Sequence, residues 1–179
     1  MKTLKTIMAV ALLFITVGMT AQNDKDKKIM ADAEKAKAKI ISKDAGLAAF
    51  FESSAGYVIF PNVGKGGLIV GGATGNGILY EDGVAVGMAD LKKLNVGLQA
   101  GGQAVSEVIF FETATQLNNF KEGNFEFAAE ASAVIADEGA SKNADYNDGV
   151  MVVAMPKAGL MADASVGGQK FSYEPFVNQ

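Results

Sequence analysis

Between Ser54 and Gly77 the chain places eight glycines within 24 residues, far above the usual frequency of about 7%. An aromatic and β-branched run, Tyr57 to Phe60, stops at Pro61, and a glycine array carrying one lysine, Lys65, follows it. Glycine lacks a Cβ, so it permits positive φ and the close approach of another surface to the backbone. Such a segment either winds into tightly packed turns or brings a ligand close to the main chain.

The two common phosphate-binding glycine loops fail on spacing. The Gly64-Lys65 pair is followed by Gly66 and preceded, where a P-loop needs its first glycine, by Ile59. Neither Gly64-x-Gly66 nor Gly75-x-Gly77 has the third glycine of a dinucleotide fingerprint, since Ile69 and Tyr80 stand there. Gly67, Gly71 and Gly75 have the spacing of a membrane-helix packing face. The apolar run around them is too short to span a bilayer, and so much glycine disfavours helix. The segment reads as strands and turns.

The residue types that are missing narrow the chemistry. The sequence has no histidine, cysteine or tryptophan, and all sixteen of its basic residues are lysines. Histidine bases, cysteine nucleophiles and His- or Cys-ligated metal sites are therefore excluded, as are guanidinium clamps on phosphate. No motif calls for a cofactor. Lys2 and Lys5, the apolar stretch Ile7 to Val17 and the small residues before Gln22 read as an export signal over residues 1–21. Without it the chain carries fourteen lysines against twenty acids, a charge near −6, which argues against a nucleic-acid partner. Residues 22–179 are expected to form one domain held together by burial rather than disulfides.

From Asn23 to about Ser53 the pattern is helical: Ile29, Ala33, Ala36 and Ile40 share one face, and Gly46 is expected to end or bend the helix. Short strands follow at Tyr57 to Phe60, Leu68 to Val70, Gly77 to Glu81 and Val84 to Met88, the last two joined by a turn at Asp82-Gly83. Leu94 to Val105 alternates loosely, and Val108 to Phe111 reads as a buried strand. A helix over Thr113 to Phe120, capped by Thr113 or Thr115, precedes strands at Val150 to Ala154, Leu160 to Ser165 and Lys170 to Tyr173. The order predicts an α+β fold: an N-terminal helix, then a mainly antiparallel, glycine-rich sheet or barrel-like core with one short internal helix. Asn62-Val-Gly64 recurs as Asn95-Val-Gly97, and Gly101-Gly-Gln103 as Gly167-Gly-Gln169, without a constant period.

Gly56 to Pro61, Lys65-Gly-Gly67, Gly71-Gly72 and Gly75-x-Gly77 resemble the opening of the SYLF domain, a lipid-binding, Las17-binding-related family. The resemblance continues through Val96 to Gln103, then the apolar strand and Phe120, and ends with Lys157 to Ala162 and Gly167 to Ser172, covering roughly Asp32 to Tyr173. It implies a compact domain of sheet and helices. It also implies a non-enzymatic lipid- or membrane-surface-binding role in the bacterial envelope, periplasmic or secreted. The alternative is a structural or interaction module that docks a protein partner, or itself, through its glycine-rich β surface.

The candidate lipid- or anion-binding residues are Lys65 with Gly64, Gly66 and Gly67, then Lys92 and Lys93, and Lys25, Lys27 and Lys28 on the first helix. Near an anionic surface each lysine contributes on the order of 1 kcal/mol, so several together can offset a globally acidic domain. Lys65 stands out because packing gives no reason for a charge within a run of glycines, whose backbone N–H groups can assist it on an anion. Asp145 to Gly149 resembles the start of a calcium loop but lacks its spacing, and reads as a polar turn. Glu107 and Glu112, five residues apart on a strand, would face opposite ways and cannot act as a pair. Export is directly testable: amino-terminal sequencing of the native protein should begin near Gln22, and an intact Met1 would refute it.

Overall fold

The computed structural model describes residues 24–64, 73–93, 104–123, 126–127, 133–134, 140–142, 144–157 and 169–176. The export signal, Lys65, Gly66, Gly67, and the expected strands at 68–70 and 160–165 lie outside them, as does 94–103. Helix α1 (24–43) leads through a 3-10 turn, Ala45–Leu47, into α2 (Ala48–Ser53). Strands β1 (Gly56–Gly64), β2 (Ala73–Glu81), β3 (Val84–Lys93) and β4 (Ala104–Phe111) precede α3 (Ala114–Lys121). Two-residue strands β5 (Glu126–Phe127) and β6 (Ala133–Val134) follow, then β7 (Val150–Pro156) and β8 (Gln169–Pro175).

The strands form one sheet in the order β5-β8-β3-β2-β1-β4-β7-β6. Every described pairing is antiparallel except that of β6 with β7. The α+β expectation holds, and of the two forms expected for the core the described residues make an open sheet, not a closed barrel. Two tight turns depend on positive φ. Asp82 and Gly83, at 49° and 75°, close the β2–β3 hairpin as a two-residue turn whose twist suits the strands. Asp148 and Gly149, at 51° and 76°, close a second turn, with Asn147 and Val150 exchanging backbone hydrogen bonds of 2.9 and 3.0 Å. The calcium-like segment is thus a tight turn.

Both faces of the sheet are covered, which explains why β1, β4 and β7 read as nearly continuous apolar runs rather than alternating ones. On one face Tyr57, Ile59, Ile78, Tyr80, Val108, Phe110, Met151 and Val153 pack with Ala33, Ala36 and Ile40 of α1 and Phe51 of α2. The predicted helical stripe is the buried one. On the other face Val58, Phe60, Leu79, Ile109, Phe111 and Val152 pack with Leu117 and Phe120 of α3. Phe120 stands 5.1 Å from Phe111 on β4 and 5.4 Å from Phe171 on β8, ring centre to ring centre. Those strands are four places apart in the sheet, so it curves around α3.

Three local details refine the sequence reading. β1 does not stop at Pro61 but passes through it to Gly64, because an irregularity between Phe60 and Val63 accommodates a residue without an N–H. Ser106 Oγ donates to the Pro61 carbonyl at 2.9 Å. The end of α1 is fixed by Asp44, whose buried carboxylate accepts from Gly46 N at 3.0 Å and from Ser141 N and Oγ at 2.7 Å each. Thr113 takes the cap position of α3, but its hydroxyl donates to the Gln116 side chain instead of a helix N–H.

Helix α1 is also tied to the sheet by polar groups. Lys37 Nζ donates to Tyr57 Oη at 2.8 Å and lies 4.9 Å from the ring centres of Phe51 and Tyr57. Tyr57 stacks on Tyr80 at 5.0 Å. Burial, reinforced by the Glu34 carboxylate, raises the Tyr80 hydroxyl above its ordinary value of 10.0. Burial likewise raises Tyr146 and Tyr173.

A Cβ on Gly77 would lie 2.6 Å from both the Ile59 carbonyl oxygen and a Phe60 ring carbon. Gly77→Ala should therefore destabilise by about 1–3 kcal/mol through overpacking. Gly83→Ala meets no neighbour within 4 Å and should cost about 1–2 kcal/mol, from φ alone. Denaturant titration ranks the two, and an unperturbed Gly77→Ala would contradict the packing. Because the folded state holds the Tyr80 proton more tightly than the unfolded chain, this contribution is present below about pH 10 and falls as pH rises past it. Tyr80→Phe should flatten the decline of the melting temperature above about pH 10; an unchanged slope would exclude Tyr80 as its source.

Candidate functional site

The end of β1, the start of β2, the end of β3, the start of β4, the end of β7 and the start of β8 lie together at one end of the sheet. The register shows it: Gly64 is opposite Thr74 and Ala104, Ala73 opposite Lys93, Lys93 opposite Gln169, and Val105 opposite Pro156. The described strand ends on either side of 65–72, 94–103 and 158–168 therefore share one rim.

Directly opposed residues of antiparallel strands project to the same face. Gly64, Thr74, Lys92 and Lys170 consequently form a transverse row across β1, β2, β3 and β8, with Glu126 of β5 in register beside Lys170. Thr74, Lys92 and Lys170 are exposed. A parallel row two residues further from the rim contains Asn62, Asn76, Asp90 and Ser172. Asn76 donates to Asp90 and Lys157 Nζ to Asn62. Burial lowers the Lys157 ammonium below its ordinary value; nearby Asp32 opposes this and Lys39 adds to it. Both rows belong to the face on which α1 packs, as strand alternation from Ile78 and Tyr80 requires.

The structure joins part of the predicted constellation. Gly64 and Lys92 share the first row, whereas Lys93 holds the next register row, with Ala73 and Gln169, which alternates to the opposite face of the sheet. Lys25, Lys27 and Lys28 are exposed on the first turns of α1, a separate element. Lys65, Gly66 and Gly67, which follow Gly64 in sequence, are outside the described residues. Sequence reasoning missed Lys157 and Lys170. The signal for Lys170 was the Gly167-Gly-Gln169 echo, but its placement beside Lys92 depends on β8 pairing with β3, a non-sequential neighbour. Glu107 is buried and Glu112 exposed, so they form no carboxylate pair. No helix among the described residues is long and apolar enough to cross a membrane.

Chemically, the two rows combine ammonium, amide and hydroxyl groups with the acidic residues Asp90 and Glu126. Residues 92–179 match the family model described as Ysc84, Las17-binding protein actin regulator. Over 83 residues the chain is 31% identical to Beta cell expansion factor A from Aeromonas veronii, a match covering 45% of this chain and 32% of that protein. The chain thus spans about a third of the curated relative it matches. The SYLF resemblance read from the sequence is met over the half of the chain that contains β4, α3, β7, β8 and the end of β3.

Proposed function

From the match of residues 92–179 to the Ysc84 family model, we propose that the chain is a non-enzymatic, exported domain that binds anionic lipid surfaces weakly. The observation that supports this most is the row bringing Lys92 and Lys170 beside Gly64 at one sheet rim, ended by Glu126, with Lys157 on Asn62 in the next row. Lys65 extends the same cationic set in sequence, and Lys25, Lys27 and Lys28 supply a second patch on α1.

With a mature charge near −6, attraction has to be local. Exposed charges are screened within about 8–10 Å at physiological ionic strength, so contact at the rim is required and salt should weaken it. The absence of histidine and cysteine from the sequence favours a binding role over general-base or thiol catalysis. The description of the family names a protein partner, Las17, and for this chain protein docking is the competing reading.

Co-sedimentation with neutral and anionic vesicles at low and high salt tests the proposal. Wild-type protein should pellet with anionic vesicles at low salt. Joint Lys65→Glu, Lys92→Glu and Lys93→Glu changes should abolish this and leave the melting temperature nearly unaltered. Indifference of the wild type to anionic vesicles at low salt would reject the membrane reading in favour of protein docking.

A further inference from the structure

Among the described residues the methionines are Met30, Met88, Met151 and Met155, and all four belong to the cluster between α1 and the sheet; the cluster under α3 has none. With no cysteine in the sequence, methionine thioethers are its only sulfur. Met151 and Met155 of β7 are buried, at 0% and 3% exposure, whereas Met30 of α1 and Met88 of β3 are half-buried against the same cluster. Met88 stands between fully buried Ile78 on β2 and exposed Glu174 on β8. Met30 matters to α1 because little else holds the first half of that helix. Residues 24–28 are all charged, Ala33 and Ala36 are small, and Ile29 and Met30 are the large apolar residues before Ile40. The second half is secured separately, by Lys37 on Tyr57, by buried Ile40, and beyond its end by Asp44 on Gly46 and Ser141.

We propose that Met30 and Met88 are sites of reversible oxidation, and that their sulfoxides loosen the first half of α1 from the sheet. The oxidant is a hydroperoxide. Its oxygen passes to the thioether sulfur, an S–O bond forms as the O–O bond breaks, the sulfur is oxidised, and hydrogen peroxide is reduced to water. A flexible apolar side chain thereby becomes a polar, chiral one. Packed on an apolar surface, the new oxygen loses its hydration without gaining a donor, and undocking of the helix removes that cost. A helical segment this short is marginal by itself in water, so the part that leaves the sheet also unwinds. Susceptibility follows exposure, which places Met30 and Met88 ahead of Met151 and Met155. Methionine sulfoxide reductases reverse the change, the oxygen leaving as water while a dithiol becomes a disulfide. The inference is independent of the lipid-surface reading.

The test treats the full mature protein with hydrogen peroxide, follows each methionine by peptide mass spectrometry and measures amide hydrogen exchange in the same samples. Met30 and Met88 should gain oxygen about tenfold faster than Met151 and Met155. Exchange over residues 24–36 should then rise about tenfold and that over 37–43 much less. Methionine sulfoxide reductases with a dithiol should restore the original exchange. The joint Met30→Leu and Met88→Leu protein, which nearly conserves volume, should keep α1 protected in peroxide, and Met30→Gln should loosen it without oxidant. Melting temperatures confirm that the variants are folded, and the reductase reversal in wild-type protein depends on no variant. Equal oxidation rates at all four positions overturn the choice of Met30 and Met88. Unchanged exchange in the oxidised protein overturns the coupling to α1. So does equal loosening of the double-leucine protein, which retains Met161, a residue outside the described ones.

Discussion

Burial of β1 from both sides is the constraint on which the rest of the structure depends. Tyr57, Val58, Ile59 and Phe60 are four consecutive residues, each 1% exposed or less, so neither face of this strand can be left to water. Tyr57 and Ile59 require α1 and α2 on one side, and Val58 and Phe60 require α3 on the other. Each fully buried side chain of this size contributes on the order of 1.5–3 kcal/mol relative to exposure. The strand can realise that stabilisation only at the centre of a three-layer arrangement. The neighbouring β2 and β4 inherit the same requirement through their register with β1.

Among the described residues, helices cover the middles of β1, β2, β4 and β7, whereas toward one rim exposed polar side chains take over. The α1 stripe lies over Ile78 and Tyr80, while Asn76, Thr74, Asp90 and Lys92 further along the same strands and face carry polar groups. The change from apolar to polar along one face of β2 and β3 thus marks the edge of the helix footprint. Glycine serves this geometry in a particular way. Gly77 on β2 has the Phe60 ring packed where a side chain would stand, allowing large aromatics to fill the curved face while the opposite face presents its polar row.

Much of the fold was legible because its signals are local. The stripe of α1 follows the helical period, the Asp82-Gly83 turn has the residues such a hairpin needs, and Val108 to Phe111 can only be a buried strand. Pro61 misled because a missing N–H normally ends a ladder, whereas here a bulge and the Ser106 hydroxyl accommodate it. Asp44 was overlooked because its partner, Ser141, is 97 residues away. The site was less legible than the fold for the same reason. Lys92 and Gly64 were visible as charge and glycine, but Lys170 gains meaning only once β8 inserts beside β3, and local periodicity carries no information on strand order.

The placement of charge ties fold to function more closely than its amount does. A chain with a net charge of −4 would be repelled by an anionic surface if its charges were evenly spread. Here Lys92 and Lys170 are opposed neighbours on the sheet, Glu126 stands opposite Lys170 on its other side, and Asp90, the acid closest along β3, is engaged by Asn76. A strand ladder can hold charges close together because backbone hydrogen bonding and two-sided burial supply the stability, which leaves the rim free to carry them.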